Sequence, residues 1–214
     1  MSRKDEILGR IRAAIGTRYD MPALDDIAPI TYPDPLAAFK ASSKVAGSEV
    51  VELESGDTVD SIIRKRFPSA GTIASNLPEV SIANLNPDTV ESAAALDGTD
   101  VGVIRGELGV AENGCIWIPQ AMKEKAVCFI SENLVILLSR EAIINNMHEA
   151  YRRVDPGRYG YGTFISGPSK TADIAQTLVM GAQAARSVTV ILTPPPASTP
   201  PAAGTNWHSA HMLI

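Results

Sequence analysis

The chain has 214 residues, 45% of them hydrophobic and 20% charged, with a formal net charge of −5. These values suit one substantial core of ordinary soluble, globular type and force no second domain. The acidic balance and the lack of a basic stripe argue against a nucleic-acid surface.

The amino terminus, MSRKDEILGRIRAAIG, places Ile7, Leu8, Ile11, Ala14 and Ile15 near helical spacing with charges between them. This reads as a surface helix and not as a signal peptide, which would carry a continuous apolar segment. Residues 21–35, rich in Pro and Asp, read as a linker laid over the surface. A second helix is expected over 35–46, a strand over 49–53, a helix over 57–67 and a strand over 71–75. Such alternation points to a parallel sheet covered by helices. Residues 100–119, DVGVIRGELGVAENGCIWIP, hold two or three β-like runs between glycines and read as a small extended subsection at a sheet edge. Residues 126–138 are expected as two short strands, and 140–154 as a helix with Ile143, Ile144, Met147 and Ala150 near helical spacing.

A short apolar strand, a Gly-Pro-Ser turn and an amphipathic helix are expected next, over 164–181, and a closing strand over 187–192. From residue 193 the Pro-rich text TPPPASTPPAAG cannot form ladders, because Pro lacks the donor and fixes φ. No apolar run reaches the ~18–20 residues that span a bilayer; the richest stretch, around 134–138, is short. Cys115 and Cys128 are the two cysteines. Both lie in apolar segments and read as buried thiols in a reducing compartment, so a cytoplasmic location follows by default. Two thiolates fall short of the four that a usual iron–sulfur cluster requires, so no cofactor is expected in this chain.

Two motifs carry candidate chemistry. Gly167-Pro168-Ser169-Lys170-Thr171 lies between a strand and a helix, where backbone N–H groups and the helix dipole favour an anion. A nucleotide P-loop is excluded, since its two glycines would fall at Phe164 and Ser169. Either Ser169 or Thr171 caps the helix with Asp173 in its first turn, or the loop binds an anion with help from Lys170. In Ala111-Glu112-Asn113-Gly114, Asn-Gly supplies a tight turn. Glu112 at a strand end could alternatively serve as nucleophile or general base, with Glu107 five residues earlier as its partner. His208 and His211 have an i, i+3 spacing but no Cys or carboxylate nearby, and His148 fits a solvated helix face, so no metal site is expected.

Residues 166–192, SGPSKTADIAQTLVMGAQAARSVTVIL, resemble the Ser-Gly-Pro-Ser-Arg/Lys-Thr-Ala-Asp-Ile signature of the LUD (lactate-utilisation) domain family. Ala111-Glu112-Asn113-Gly114-Cys115 resembles its second signature, usually Glu-Thr-Gly-Thr, with Asn113 and Cys115 in place of two threonines. The resemblance covers residues 35–193, leaving 1–34 as amino-terminal helix and linker and 194–214 as a tail. It implies an α/β, mostly parallel Rossmann-like sheet of the sugar-phosphate isomerase and coenzyme A transferase-like class. It also implies a subunit or accessory of lactate (organic acid) oxidation, in which iron–sulfur clusters belong to partner proteins. The pairing of a strand-end carboxylate with a helix amino terminus leads to the expectation of a small anionic ligand between Glu112, Asn113, Gly114 and the loop Ser166, Gly167, Pro168, Ser169, Lys170, Thr171 and Asp173. The Glu-Asn-Gly turn also resembles that of one class of coenzyme A transferases. In that alternative Glu112 forms a glutamyl thioester and residues 167–171 face the coenzyme's phosphates. Self-association into a homo-oligomer is left open.

Overall fold

A computed structural model of the chain describes residues 2–16, 27–171, 179–181 and 185–195. Its amino-terminal helix α1 (Arg3–Ala14) carries a capping box between Ser2 and Asp5 and buries no residue. Helix α2 (Pro35–Ala46) opens with the Asp34 carboxylate accepting from the Ala37 N–H and closes on Gly47 at φ 94°. These are the donor-satisfying start and left-handed stop that helix ends require. Strand β1 (Glu49–Glu52), helix α3 (Val59–Arg66), strand β2 (Ile73–Ala74) and strand β3 (Val101–Arg105) follow. Then come β4 (Leu108–Val110), β5 (Ile116–Pro119), the one-turn helix α4 (Val127–Ile130) and β6 (Asn133–Ser139). The chain continues through β7 (Ile143–Ile144), α5 (Met147–Arg153), α6 (Pro156–Tyr159) and β8 (Gly162–Ile165). Short strands β9 (Lys170–Thr171) and β10 (Val179–Met180) precede the closing strand β11 (Ser187–Thr193).

The core is a five-stranded sheet in the order β1-β11-β6-β3-β2, with every pairing parallel. The α/β class with a parallel sheet is therefore as the alternation foretold. Strands β6 and β11 read as continuous apolar runs because both faces are covered. Ile136, Leu138, Val190 and Leu192 face a cluster that includes Phe39 of α2. Their neighbours Val135, Leu137 and Ile191 face Val59, Ile62 and Ile63 of α3 on the other side. A second sheet, β7-β4-β5-β8, is mixed and lies over a third cluster formed by Leu108, Val110, Trp117, Ile144, Ala150 and Val154. It is the extended subsection expected over 100–119, except that β3 belongs to the central sheet and β7 and β8 join from downstream.

Three expectations are corrected. Residues 127–130 form a helical turn and not a strand; the Ser131 hydroxyl closes it on the Val127 carbonyl at 2.8 Å. Residues 140–154 do not form one helix. Ile143 and Ile144 pair with Gly109 and Val110, and α5 opens only at Met147, where Asn146 caps it. The strand expected at 164 is β8, which pairs antiparallel with β5 in the small sheet and not with the parallel one.

Candidate functional site

The two sequence motifs come together at the amino-terminal edge of the parallel sheet, on the last turn of α2. The Ser166 hydroxyl donates to the Asn113 carbonyl at 2.9 Å, and the Ser42 hydroxyl donates to the Ala111 carbonyl at 2.7 Å. Gly114 sits at φ +67°, and a Cβ there would lie 2.8 Å from the backbone nitrogen of Ser43. Gly167, at φ +74°, has the Ala46 carbonyl where a Cβ would project, while Pro168 packs over Gly47. Both glycines therefore serve a positive φ and a close backbone approach. Lys170 Nζ donates to the Ala46 carbonyl at 2.6 Å, a cation on the carboxyl end of α2.

The loop's backbone groups are engaged as well. The Ser169 N–H donates to the Ala185 carbonyl at 3.0 Å, and the Ser169 carbonyl accepts from the Gly181 N–H at 3.0 Å. Lys170 and Thr171 are extended and pair with Met180 and Val179, so no helix opens at Ser169, and the residues that Thr171 would cap lie outside the described residues. Asp173 lies outside the described residues, as do His208 and His211. Cys115 is half-buried beside this cluster, and burial raises its thiol pKa.

Glu107 and Glu112 do not pair. They flank β4 at its opposite ends, on the order of 15 Å apart at about 3.3 Å per residue. Glu112 is exposed, and its carboxylate accepts the Met147 N–H at 2.9 Å while its own N–H donates to the Asn145 carbonyl. It thus supplements the Asn146 cap at the start of α5, satisfying a donor that the helix leaves free. Glu107 accepts from the Tyr159 hydroxyl at 3.2 Å and lies 4.0 Å from the Arg158 guanidinium. Burial, with Glu107 adding to it, pushes the Tyr159 phenol pKa up.

The opposite edge of the sheet holds a half-open cavity of about 710 Å³. Arg105, Ser139 and Thr193 line it from the carboxyl ends of β3, β6 and β11, the place where open parallel sheets bind ligands. Leu108 and Trp117 of the small sheet and Arg153 and Val154 at the end of α5 complete the wall, with Glu79, Glu107 and Glu141 around it. Arg105 is ion-paired with Glu79, and burial lowers its guanidinium pKa. Arg153, Glu141 and the hydroxyls of Ser139 and Thr193 make no ion pair or side-chain hydrogen bond among the described residues. The Trp117 ring, 5% exposed, tilts at 54° against Phe164 with centroids 5.0 Å apart. Among the described residues no cluster of three His, Cys, Asp or Glu is placed to hold a metal.

Only Glu107 among the candidates chosen from sequence lies at this cavity. Arg105, Ser139, Arg153 and Thr193 belong to no local motif. Their common signal is position, since each ends a strand or helix, and that signal appears only once the strand order is known.

Residues 88–193 match the LUD domain. Lactate utilization protein C of Shouchella clausii (strain KSM-K16) is 28% identical over 110 residues, 49% of this chain and 48% of that protein. The match thus spans about half the length of that curated relative. The crystal structure of a DUF162 family protein from Deinococcus radiodurans superposes with a TM-score of 0.60 at 17% identity, covering 77% of this chain and 99% of that one. The likeness shows a shared α/β fold. The family match takes in both edges of the sheet described above, from Arg105 through Glu112 to Thr193, and this part of the chain is similar to the LUD domain.

Proposed function

We propose that this chain is a subunit or accessory of a lactate (organic acid) utilisation system and that it binds an organic anion at the carboxyl edge of its parallel sheet. The relative named Lactate utilization protein C supports the setting. The redox steps fall to iron–sulfur partner proteins, and this chain carries no cofactor of its own.

One observation carries the binding site. Arg153, whose guanidinium has no partner among the described residues, shares a cavity with the unpaired hydroxyls of Ser139 and Thr193. A guanidinium presents a planar fork that matches a carboxylate's two oxygens, and hydroxyls donate to what remains of its lone pairs. The amino-edge motifs then have a supporting role. Glu112 holds the start of α5, the helix that ends in Arg153, while Gly114 and Gly167 seat the small sheet and the following loop on α2.

Isothermal titration of the full chain against 2-hydroxy acids of increasing chain length tests the reading. At least one acid binds, and Arg153→Gln weakens it tenfold or more. Sodium chloride at equal ionic strength reproducing the heat, or Arg153→Gln binding as the wild type does, would sink it.

A further inference from the structure

We infer that the acid this cavity accepts is a 2-hydroxy acid with an apolar arm much larger than the methyl of lactate. The inference rests on the cavity being the anion site and goes on to name the class of acid.

Size comes first. A three-carbon hydroxy acid displaces about four waters, roughly 120 Å³ at about 30 Å³ each. The cavity offers about 710 Å³, several times that space. Cavities of some 300–1,000 Å³ are those that enclose ligands well beyond three carbons. Lactate bound at Arg153 would leave most of the space to water.

The wall chemistry agrees. Leu108, Trp117 and Val154 are 5%, 5% and 7% exposed and join one hydrophobic cluster, so they present fixed apolar surface to the cavity. Water against such a wall is released by an apolar arm, and each buried CH₂ contributes about fourfold in affinity. Among the described residues, the charged groups of the wall left unpaired are of two kinds. Arg153 suits a carboxylate, whereas Glu141 can only accept and suits a donor such as the acid's hydroxyl. The other charges at this edge are already engaged, Arg105 with Glu79 and Glu107 with Tyr159. A cation and a carboxylate without partners among the described residues, set beside an apolar wall, together describe an amphipathic hydroxy acid.

The experiment titrates the full chain with L-lactate, L-3-phenyllactate and 3-phenylpropionate, which lacks the hydroxyl, and repeats each with Arg153→Gln and Glu141→Gln. Both residues are exposed, and thermal melts confirm that each variant is folded. Phenyllactate should bind at least tenfold more tightly than lactate and lose tenfold or more with Arg153→Gln. It should also exceed phenylpropionate about fivefold, a margin that Glu141→Gln removes. Lactate binding as tightly as phenyllactate, with both dependent on Arg153, overturns this inference and leaves the anion site standing. Phenylpropionate matching phenyllactate overturns the hydroxyl assignment. Failure of every acid to bind through Arg153 overturns the site itself and the inference with it.

Discussion

Replacing Glu112 separates a structural carboxylate from a covalent one. The Glu112 side chain accepts the Met147 N–H at 2.9 Å, at the first residue of a seven-residue helix. Losing a side-chain cap costs about 1 kcal/mol, and a negative charge near a helix amino terminus adds roughly 0.3–1 kcal/mol. Asn146 stays in place and still accepts from the Glu149 N–H, so the helix is weakened and not lost. Glu112→Ala should therefore destabilise the fold by about 1.5 kcal/mol. For a chain of this size that lowers Tm by roughly 3–6 °C. Glu112→Gln keeps the acceptor and sheds only the charge, so it should cost about half as much, by an amount that shrinks in 0.5 M salt. Scanning calorimetry of the three proteins at low and high salt reads these values. An unchanged Tm for Glu112→Ala would refute the cap. Equal losses for Ala and Gln would show that charge, and not the hydrogen bond, matters. The cap engages one oxygen of the Glu112 carboxylate, and the glutamyl-thioester alternative is tested on the same side chain. Incubation with acyl-coenzyme A and borohydride should leave Glu112 unmodified, and a reduced, mass-shifted Glu112 would restore the transferase reading.

Two further predictions concern packing and pH. Gly114→Ala should cost about 2–5 kcal/mol, combining a left-handed φ with a collision against the Ser43 backbone. Gly98→Ala, at φ +74° with open space around it, should cost only about 1–2 kcal/mol, and urea melts showing equal losses would undo the close-approach argument. Lys40 and then Arg140 hold the Glu52 carboxyl below its ordinary pKa of 4.5. The pair thus stabilises the fold above pH 4.5, and that contribution is lost as pH falls through the lowered folded value. Because both side chains are over a third exposed, the difference between wild type and Lys40→Met at pH 7 should stay below about 1 kcal/mol and vanish in acid. A difference that persists at pH 3 would assign the effect to packing.

The parallel sheet was legible because its inner strands advertise themselves. Residues 134–138 are apolar throughout and 187–192 largely so, and the Asp34 and Thr58 side chains cap the helices on either side of β1. Two misreadings share one cause, which is that short apolar runs do not declare their period. Ile143 and Ile144 fit a helical stripe, yet an open edge at β4 captured them as a strand. Residues 127–130 look β-like, but a one-turn helix resolves them over the sheet. The sequence motifs were legible as motifs, and the Ser166–Asn113 hydrogen bond joins them. Their chemistry was not legible. Whether Glu112 meets a substrate or a helix depends on Met147, 35 residues away, and no local pattern records that contact.

Strand β11 lies inside the sheet, between β1 and β6, although it is the last of the described strands along the chain. Among the described strands β1 pairs with no other, and its Glu49 waits for Thr189, about 140 residues later. During synthesis at roughly 5–20 residues per second, that interval is on the order of 7–30 s, during which β1 has no strand to pair with. Closure of the fold is therefore a late event governed by a long loop, which favours slow folding. A nascent chain stalled before residue 187 exposes the bare edge of β6, a template for strand pairing with other chains and a target for chaperones.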